Sequence, residues 1–319
     1  MQRASMVRAM LLVPPDAAMT RDLVGELSGF DGIELTTAHD VDEALRFIPD
    51  IEVLFTFFAE RRLLEAARSL RWIQALISGT DRIELDEAAA RRIVLSNARG
   101  FHGTPVSEAA LAMMLALGRD LPRAVRNQAA HAWQPWNARL LAGSTLLIVG
   151  VGAIAAALGL KCKALGMRVE GISRTVREVA GFDLIRPREA LRDAVAEADY
   201  VVLLAPADAS SRGLFGREVI AAMKSTSFLI NVARGSLVDD DALIDALRRG
   251  RIAGAALDAV NDEPLGPEHR YWEVPRLILT PHMAGRHEGS IRALFPLLKA
   301  NWSCYRAGDL QHMANRVNG

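Results

Sequence analysis

Short apolar runs alternate with segments whose apolar residues recur every three or four positions through most of the chain. The runs VRAMLLV (7–13), GIELTT (32–37), VLFTF (53–57), WIQALI (72–77) and RIVLSN (92–97) predict buried strands. Helical periodicity lies between them, over 19–27, 41–47 and 61–69. A second series begins at LLIVG (146–150) and continues through MRVEGI (167–172), DYVVLLA (199–205), SFLINVA (227–233), GAALDAV (254–260) and RLILT (276–280). Repeated strand–helix units of this kind predict parallel sheets covered on both faces. Neither an internal repeat nor a low-complexity segment interrupts the pattern.

Two series in 319 residues imply two domains, at roughly 100–200 residues each. Between them a long helical stretch is expected over 105–128. Its first half, PVSEAALAMMLALGRDL, is apolar on nearly every side. A helix without a polar face is normally buried, which suits an interdomain spine or a subunit interface. The last segment, from about residue 286, reads as a helix (SIRALFPLLKANWSCYRAG) of a length that suits a return to the first domain.

Charge narrows the partners. Lys plus Arg equals Asp plus Glu, 38 each, so nothing electrostatic favours nucleic acid or a membrane surface. The two cysteines, Cys162 and Cys304, have no metal-ligand spacing, no metal is expected, and a reducing compartment fits them. The apolar run at 9–13 is cut by Pro14 and Pro15 and reads as a strand, not a signal peptide. No apolar run approaches the roughly 18 residues of a membrane span. A soluble, cytoplasmic protein is expected.

LLIVGVGAIA (146–155) has the form of a strand entering a phosphate-binding turn, with a helix behind it. Gly150 permits the turn, Gly152 lets backbone approach a pyrophosphate, and Ala155 is small enough for helix–strand packing. The acid that usually follows about 20 residues later, to hold a ribose 2′-hydroxyl, is replaced by Ser173 and Arg174 in GISRT. A guanidinium can hold a 2′-phosphate that an acid would repel. Ser173 and Thr175 can add hydroxyls, and Arg177 is near in sequence. NADP is therefore expected as the preferred cofactor, with NAD as the alternative.

Three later stretches end strands on chemistry. INVARG (230–235) carries Arg234, LDAVNDEP (257–264) carries Glu263, and LTPHMAG (279–285) carries His282. Ligands of open parallel sheets sit beyond the carboxyl ends of the strands. Taken singly, each residue has an ordinary structural reading. Together they suit reduction of a 2-oxo acid. An arginine fork matches a carboxylate, and an imidazole can protonate the developing alkoxide. A carboxylate neighbour favours the imidazolium. Asp258 could accept from a nicotinamide carboxamide.

These segments resemble the D-isomer-specific 2-hydroxyacid dehydrogenases, most strongly from 146 to 285. GVGAIA, LLAPADASSRGLFG (203–216), MKSTSFLINVARGSLVDDDALIDALRRGRIAGAALDAV (223–260), DEP (262–264) and LTPHMAG carry the likeness in order. The resemblance implies an α/β fold of two doubly wound parallel-sheet domains. A Rossmann-type dinucleotide-binding domain (103–285) would be inserted into a flavodoxin-like substrate-binding domain (1–102 and 286–319). It assigns the substrate carboxylate to Arg234, the acid/base role to His282, the pairing carboxylate to Glu263 and the nicotinamide amide to Asp258. Cofactor contacts fall on Gly150, Gly152, Ala153, Ile154, Ser173, Arg174, Thr175, Ala205, Pro206, Val232 and Ala233. Substrate contacts fall on Arg234, His282 and the backbone amides of Ser78 and Gly79 in ISGTDRIE (77–84). A homodimer built around the nucleotide domain is also implied.

The departures carry information. Ala153 stands where the family often has Arg, which removes one phosphate contact. The SRT triplet is similar to that of NADPH-preferring glyoxylate/hydroxypyruvate reductases in the family. A small 2-oxo or 2-hydroxy acid is the expected partner. Two other readings stay open. One is a non-catalytic nucleotide-sensing binder of the same fold. The other is an NAD-linked phosphoglycerate dehydrogenase-like enzyme, which would need a basic pocket and usually a regulatory extension. Trp133 and Trp136, in HAWQPW, are expected to pack the linker rather than line a partner's cleft; His102, His131 and His287 are read as structural or exposed.

Overall fold

The computed structural model describes residues 6–80 and 82–317. They fall into two units. The first runs to Phe101 and resumes at His287; the second spans His102–Arg286.

The first unit holds β1 (Val7–Leu12), β2 (Ile33–Ala38), β3 (Val53–Thr56), β4 (Trp72–Ala75) and β5 (Val94–Ser96). All pair in parallel in the order β2-β1-β3-β4-β5, the flavodoxin-like arrangement. β3 and β4 are buried at every position, as a sheet covered on both faces demands. The period of two divides their side chains between two layers. Met10, Leu12, Leu54 and Ile73 join one core; Ala9, Leu11, Val53, Phe55 and Trp72 join the other.

The second unit holds β6 (Thr145–Val149), β7 (Arg168–Ser173), β8 (Leu184–Pro187), β9 (Tyr200–Leu203), β10 (Phe228–Asn231), β11 (Gly254–Leu257) and β12 (Leu277–Leu279). These form a parallel sheet in the order β8-β7-β6-β9-β10-β11-β12, a Rossmann order with a seventh strand. The strand order reverses at β6, so the crevice for a ligand lies at the carboxyl ends around β6 and β9. Again two layers cover the sheet, one with Leu147, Val149, Val201 and Leu229, the other with Leu146, Ile148, Val202 and Ile230.

The stretch expected as one helix over 105–128 is two helices, Gly103–Arg119 and Leu121–Ala129. Asp120 separates them in the left-handed region at φ 52°, and Pro122 follows in the first turn of the next helix, where its missing amide costs nothing. Within the single chain the first helix is buried on one face only. Val106, Ala110, Met113, Met114 and Leu117 are buried, while Leu115, Leu121 and Val125 are exposed. The first helix packs one face against the helix Ala153–Ala164 and against β10 and β11, and the second buries no residue.

The chain re-enters the first unit at His287. The final helix begins later than the expected 286, with a short turn at Arg292–Leu294 and then Phe295–Arg306. Strand β13 (Arg316–Val317) closes the unit antiparallel to β5. A buried polar knot ties this segment to the sheet. Asn301 Nδ2 donates to Gln74 Oε1 at 2.8 Å and to the Ala314 carbonyl at 3.1 Å, and its Oδ1 accepts from the Ala314 amide at 2.8 Å. Ser96 Oγ donates to the same Gln74 oxygen and accepts from Trp72 Nε1. Truncating Asn301 would strand buried polar groups. Asn301→Ala is expected to lower unfolding free energy by about 2–3 kcal/mol, measured by denaturant titration.

Candidate active site

The glycine turn explains its own composition. Gly150 has φ 100°, and a Cβ there would lie 2.4 Å from the Ala205 amide nitrogen, so only glycine serves. Gly152 is different: its backbone is extended, and a Cβ there would meet nothing within 4 Å. Its openness leaves a cradle above the N-terminus of the helix Ala153–Ala164, whose first amides no side chain caps. Open space, bare amides and the helix dipole suit a pyrophosphate. Ala153 and Ile154 form the first turn of that helix. Arg177 Nη2 donates to the Val151 carbonyl at 2.8 Å, which brings a guanidinium to the turn where residue 153 supplies none.

Ser173 ends β7, and its hydroxyl accepts from the Thr175 amide at 3.3 Å. Arg174 is well exposed and pairs with Asp208 at 3.4 Å. Ala205 and Pro206 follow β9, and Val232 and Ala233 follow β10, so these four stand at strand ends beside the switch.

The three strand-end residues come from adjacent strands, β10, β11 and β12. His282 Nδ1 and Glu263 Oε2 are 2.7 Å apart. The other Glu263 oxygen accepts from the Val260 amide at 3.1 Å, which fixes the carboxylate against its own loop. His282 has φ 49°, a left-handed conformation that non-glycine residues adopt at a cost. The surroundings enforce it. The His282 amide donates to the Asp258 carbonyl at 2.9 Å. Asp258, nearly fully buried, accepts at its carboxylate from Thr280 Oγ1 at 2.5 Å and from the amides of Met283 at 2.9 Å and Ala284 at 2.8 Å. Asp258 therefore clamps the histidine loop, a role the sequence reading did not include. A carboxylate has about four lone-pair sites, so one remains for a further donor.

Arg234 follows β10 and is partly buried, with Nη1 donating to the Ala233 carbonyl at 2.8 Å. The turn that carries it is clamped by Asn231, another residue the sequence reading passed over. Asn231 is fully buried; its Nδ2 donates to the Arg234 carbonyl at 2.8 Å and its Oδ1 accepts from the Ala233 amide at 3.0 Å. A buried amide at the end of an apolar strand was the available signal. At the next residue, Gly235, a Cβ would lie 2.0 Å from the Val260 carbonyl carbon. The loops carrying Arg234 and Glu263 thus touch backbone to backbone.

In the first unit, Ser78 and Gly79 follow β4. Ser78 Oγ donates to the Ala98 carbonyl at 2.8 Å, and Asn97 Nδ2 donates to the Ser78 carbonyl at 2.8 Å. The tryptophans divide. Trp136 packs, with Nε1 donating to the Arg119 carbonyl at 3.2 Å and Arg123 over its ring, as expected. Trp133 does not: it is 98% exposed, in a segment without helix or strand. His131 and His287 are exposed, and the His102 ring lies beside Gly285. Among the described residues, no group of three or more His, Cys, Asp or Glu gathers as a metal site would need. No helix among them is long and apolar enough to cross a membrane.

Residues 111–284 match the family described as "D-isomer specific 2-hydroxyacid dehydrogenase, NAD binding domain". A glyoxylate reductase of Pyrococcus horikoshii is 30% identical over 278 residues, which cover 83% of each chain. A D-3-phosphoglycerate dehydrogenase of Methanocaldococcus jannaschii is 30% identical over 313 residues, covering 95% of this chain and 58% of the relative. Among solved structures, an NADPH-dependent glyoxylate/hydroxypyruvate reductase from Sinorhizobium meliloti, in complex with NADP and malonate, superposes with a TM-score of 0.85 at 26% identity, covering 98% of this chain and 97% of that one. Matching more than half its length to the family model, the chain belongs to the D-isomer specific 2-hydroxyacid dehydrogenases, oxidoreductases that use a nicotinamide cofactor.

Proposed function

We propose that the chain reduces a small 2-oxo acid of the glyoxylate/hydroxypyruvate class to the D-2-hydroxy acid, with NADPH preferred over NADH. The observation that carries the reaction is the 2.7 Å contact between His282 and Glu263 beside the Arg234 turn. Glu263 accepts from Nδ1–H and fixes the ring, which leaves Nε2 to deliver the proton to the nascent alkoxide. Arg234 binds the substrate carboxylate and carbonyl through its planar fork. The Ser78 and Gly79 amides are assigned to the carboxylate as well. Amides after Gly150 and Gly152 hold the pyrophosphate, and Ala153, Ile154, Ala205, Pro206, Val232 and Ala233 line the dinucleotide. Asp258 offers its remaining lone pair to the carboxamide. When bound, the nicotinamide supplies the hydride that reduces the carbonyl carbon.

Ser173, Arg174 and Thr175 at the end of β7 support the NADPH preference, as does the cofactor named for the Sinorhizobium relative. The glyoxylate reductase relatives support the substrate class. A second reading, phosphoglycerate dehydrogenase-like activity, is favoured by the Methanocaldococcus relative. Exposed Leu115, Leu121, Val125, Trp133 and Leu140 in the second unit support a homodimer built around it. A cytoplasmic location is proposed with it.

The test follows nicotinamide absorbance with glyoxylate, hydroxypyruvate and a phosphorylated 2-oxo acid, with each cofactor. Glyoxylate or hydroxypyruvate with NADPH is expected to give the highest kcat/KM. Arg174→Ala is expected to lower kcat/KM for NADPH by roughly 10- to 100-fold, the value of a hydrogen-bonded charge, and to spare NADH. A wild-type preference for NADH would remove the cofactor proposal. Preference for the phosphorylated acid would favour the second reading, and no turnover across the panel would favour a binding protein.

A further inference from the structure

Arg174 has a partner that the cofactor reading leaves out. Its Nη1 lies 3.4 Å from Asp208 Oδ2, on the loop that follows β9, 34 residues away in sequence. Asp208 is held firmly. Its Oδ1 accepts from the Ser210 hydroxyl at 2.6 Å, the Ser210 amide at 2.9 Å and the Ser211 amide at 3.0 Å, as an Asx turn does. Arg188, just past β8, donates to both the hydroxyl and the carbonyl of Ser210 and steadies the turn. Led by the Ser210 hydroxyl, these donors keep the Asp208 carboxyl below the usual carboxylate range, so its charge is present at neutral pH.

A 2′-phosphate would bring up to two negative charges to the end of β7. There the guanidinium that should receive them already faces a fixed carboxylate. Arg174 is 68% exposed, so the existing pair is weak and can open. Opening it still costs something, and that cost offsets part of what the phosphate gains from the guanidinium. NADH has only a hydroxyl at that position and does not draw on Arg174.

We propose that Asp208 is a specificity-determining residue that competes with the 2′-phosphate for Arg174 and so holds down the preference for NADPH. This rests on the reading of Arg174 as the 2′-phosphate ligand. Asp208→Asn keeps the Oδ1 acceptor of the Asx turn and removes the charge. Calorimetric titration with NADP⁺ and NAD⁺ would compare the wild type, Asp208→Asn, Arg174→Ala and the double variant.

Asp208→Asn is expected to tighten NADP⁺ about threefold to fivefold, the scale of one exposed charge pair, with NAD⁺ unchanged. In the Arg174→Ala background the gain should vanish, as coupling through that side chain requires. If Arg174→Ala leaves NADP⁺ affinity unchanged, both the cofactor reading and this proposal fall. If Arg174→Ala weakens NADP⁺ but Asp208→Asn does not tighten it, or the gain persists in the double variant, only the Asp208 proposal falls.

Discussion

Replacing His282 with alanine is expected to lower kcat by roughly 10²- to 10⁴-fold, the contribution of a positioned general acid. Cofactor affinity should hold, because the histidine loop is fastened by groups other than the imidazole. Asp258 receives the backbone amides of Met283 and Ala284 and the Thr280 hydroxyl, and its carbonyl receives the amide of residue 282. The variant loses the ring but keeps those bonds. One complication is the backbone at this position, since φ 49° is costly for alanine. His282→Asn is the matching control, because asparagine tolerates that conformation and has no group able to titrate as an acid. Both variants should lose turnover while cofactor titration stays near wild type. Turnover within a few-fold of wild type in either would remove His282 from the chemistry.

Arg234→Ala is the second large effect. Removing one partner of a desolvated ion pair costs about 3–5 kcal/mol. At about 1.4 kcal/mol per tenfold, kcat/KM should fall by roughly 10²- to 10⁴-fold. The turn itself should survive, since Asn231 holds the backbone on both sides of Ala233, and Gly235 packs against Val260 whatever side chain precedes it. Arg234→Lys separates charge from shape. Lysine keeps the cation and lacks the fork, so it should recover only part of the loss. Steady-state kinetics across a substrate concentration series would read both variants. An unchanged kcat/KM in Arg234→Ala would place the carboxylate elsewhere.

Buried parallel strands were legible because both of their faces are covered. TLLIV, YVVL and FLIN are apolar at nearly every position, the pattern of a strand packed on both sides. The missed strands lack it. β8 reads LIRP, buries only Ile185 and ends in proline, while β13 is two residues long. The break at Asp120 was hidden because helical periodicity continues through it, although Pro122 marked the place. At the site, strand ends announced Arg234, Glu263 and His282, since a charged or titratable side chain after an apolar run is conspicuous. Asn231, Asp258 and Asp208 act through bonds that periodicity does not encode. Asp258 reaches residues 22 to 26 positions away, and Asp208 reaches Arg174 across 34.

Because Asn301, Trp302 and β13 complete a sheet begun at residue 7, synthesis meets the first unit twice. A ribosome releases residues 6–101 long before 287–317. In the interval the nascent first unit exposes the β5 edge and the apolar surface around Phe55 and Trp72, which Trp302 later covers. The middle of the chain is contiguous and can finish folding meanwhile. Premature termination near the end of the message would therefore spare the nucleotide half and leave the other half sticky.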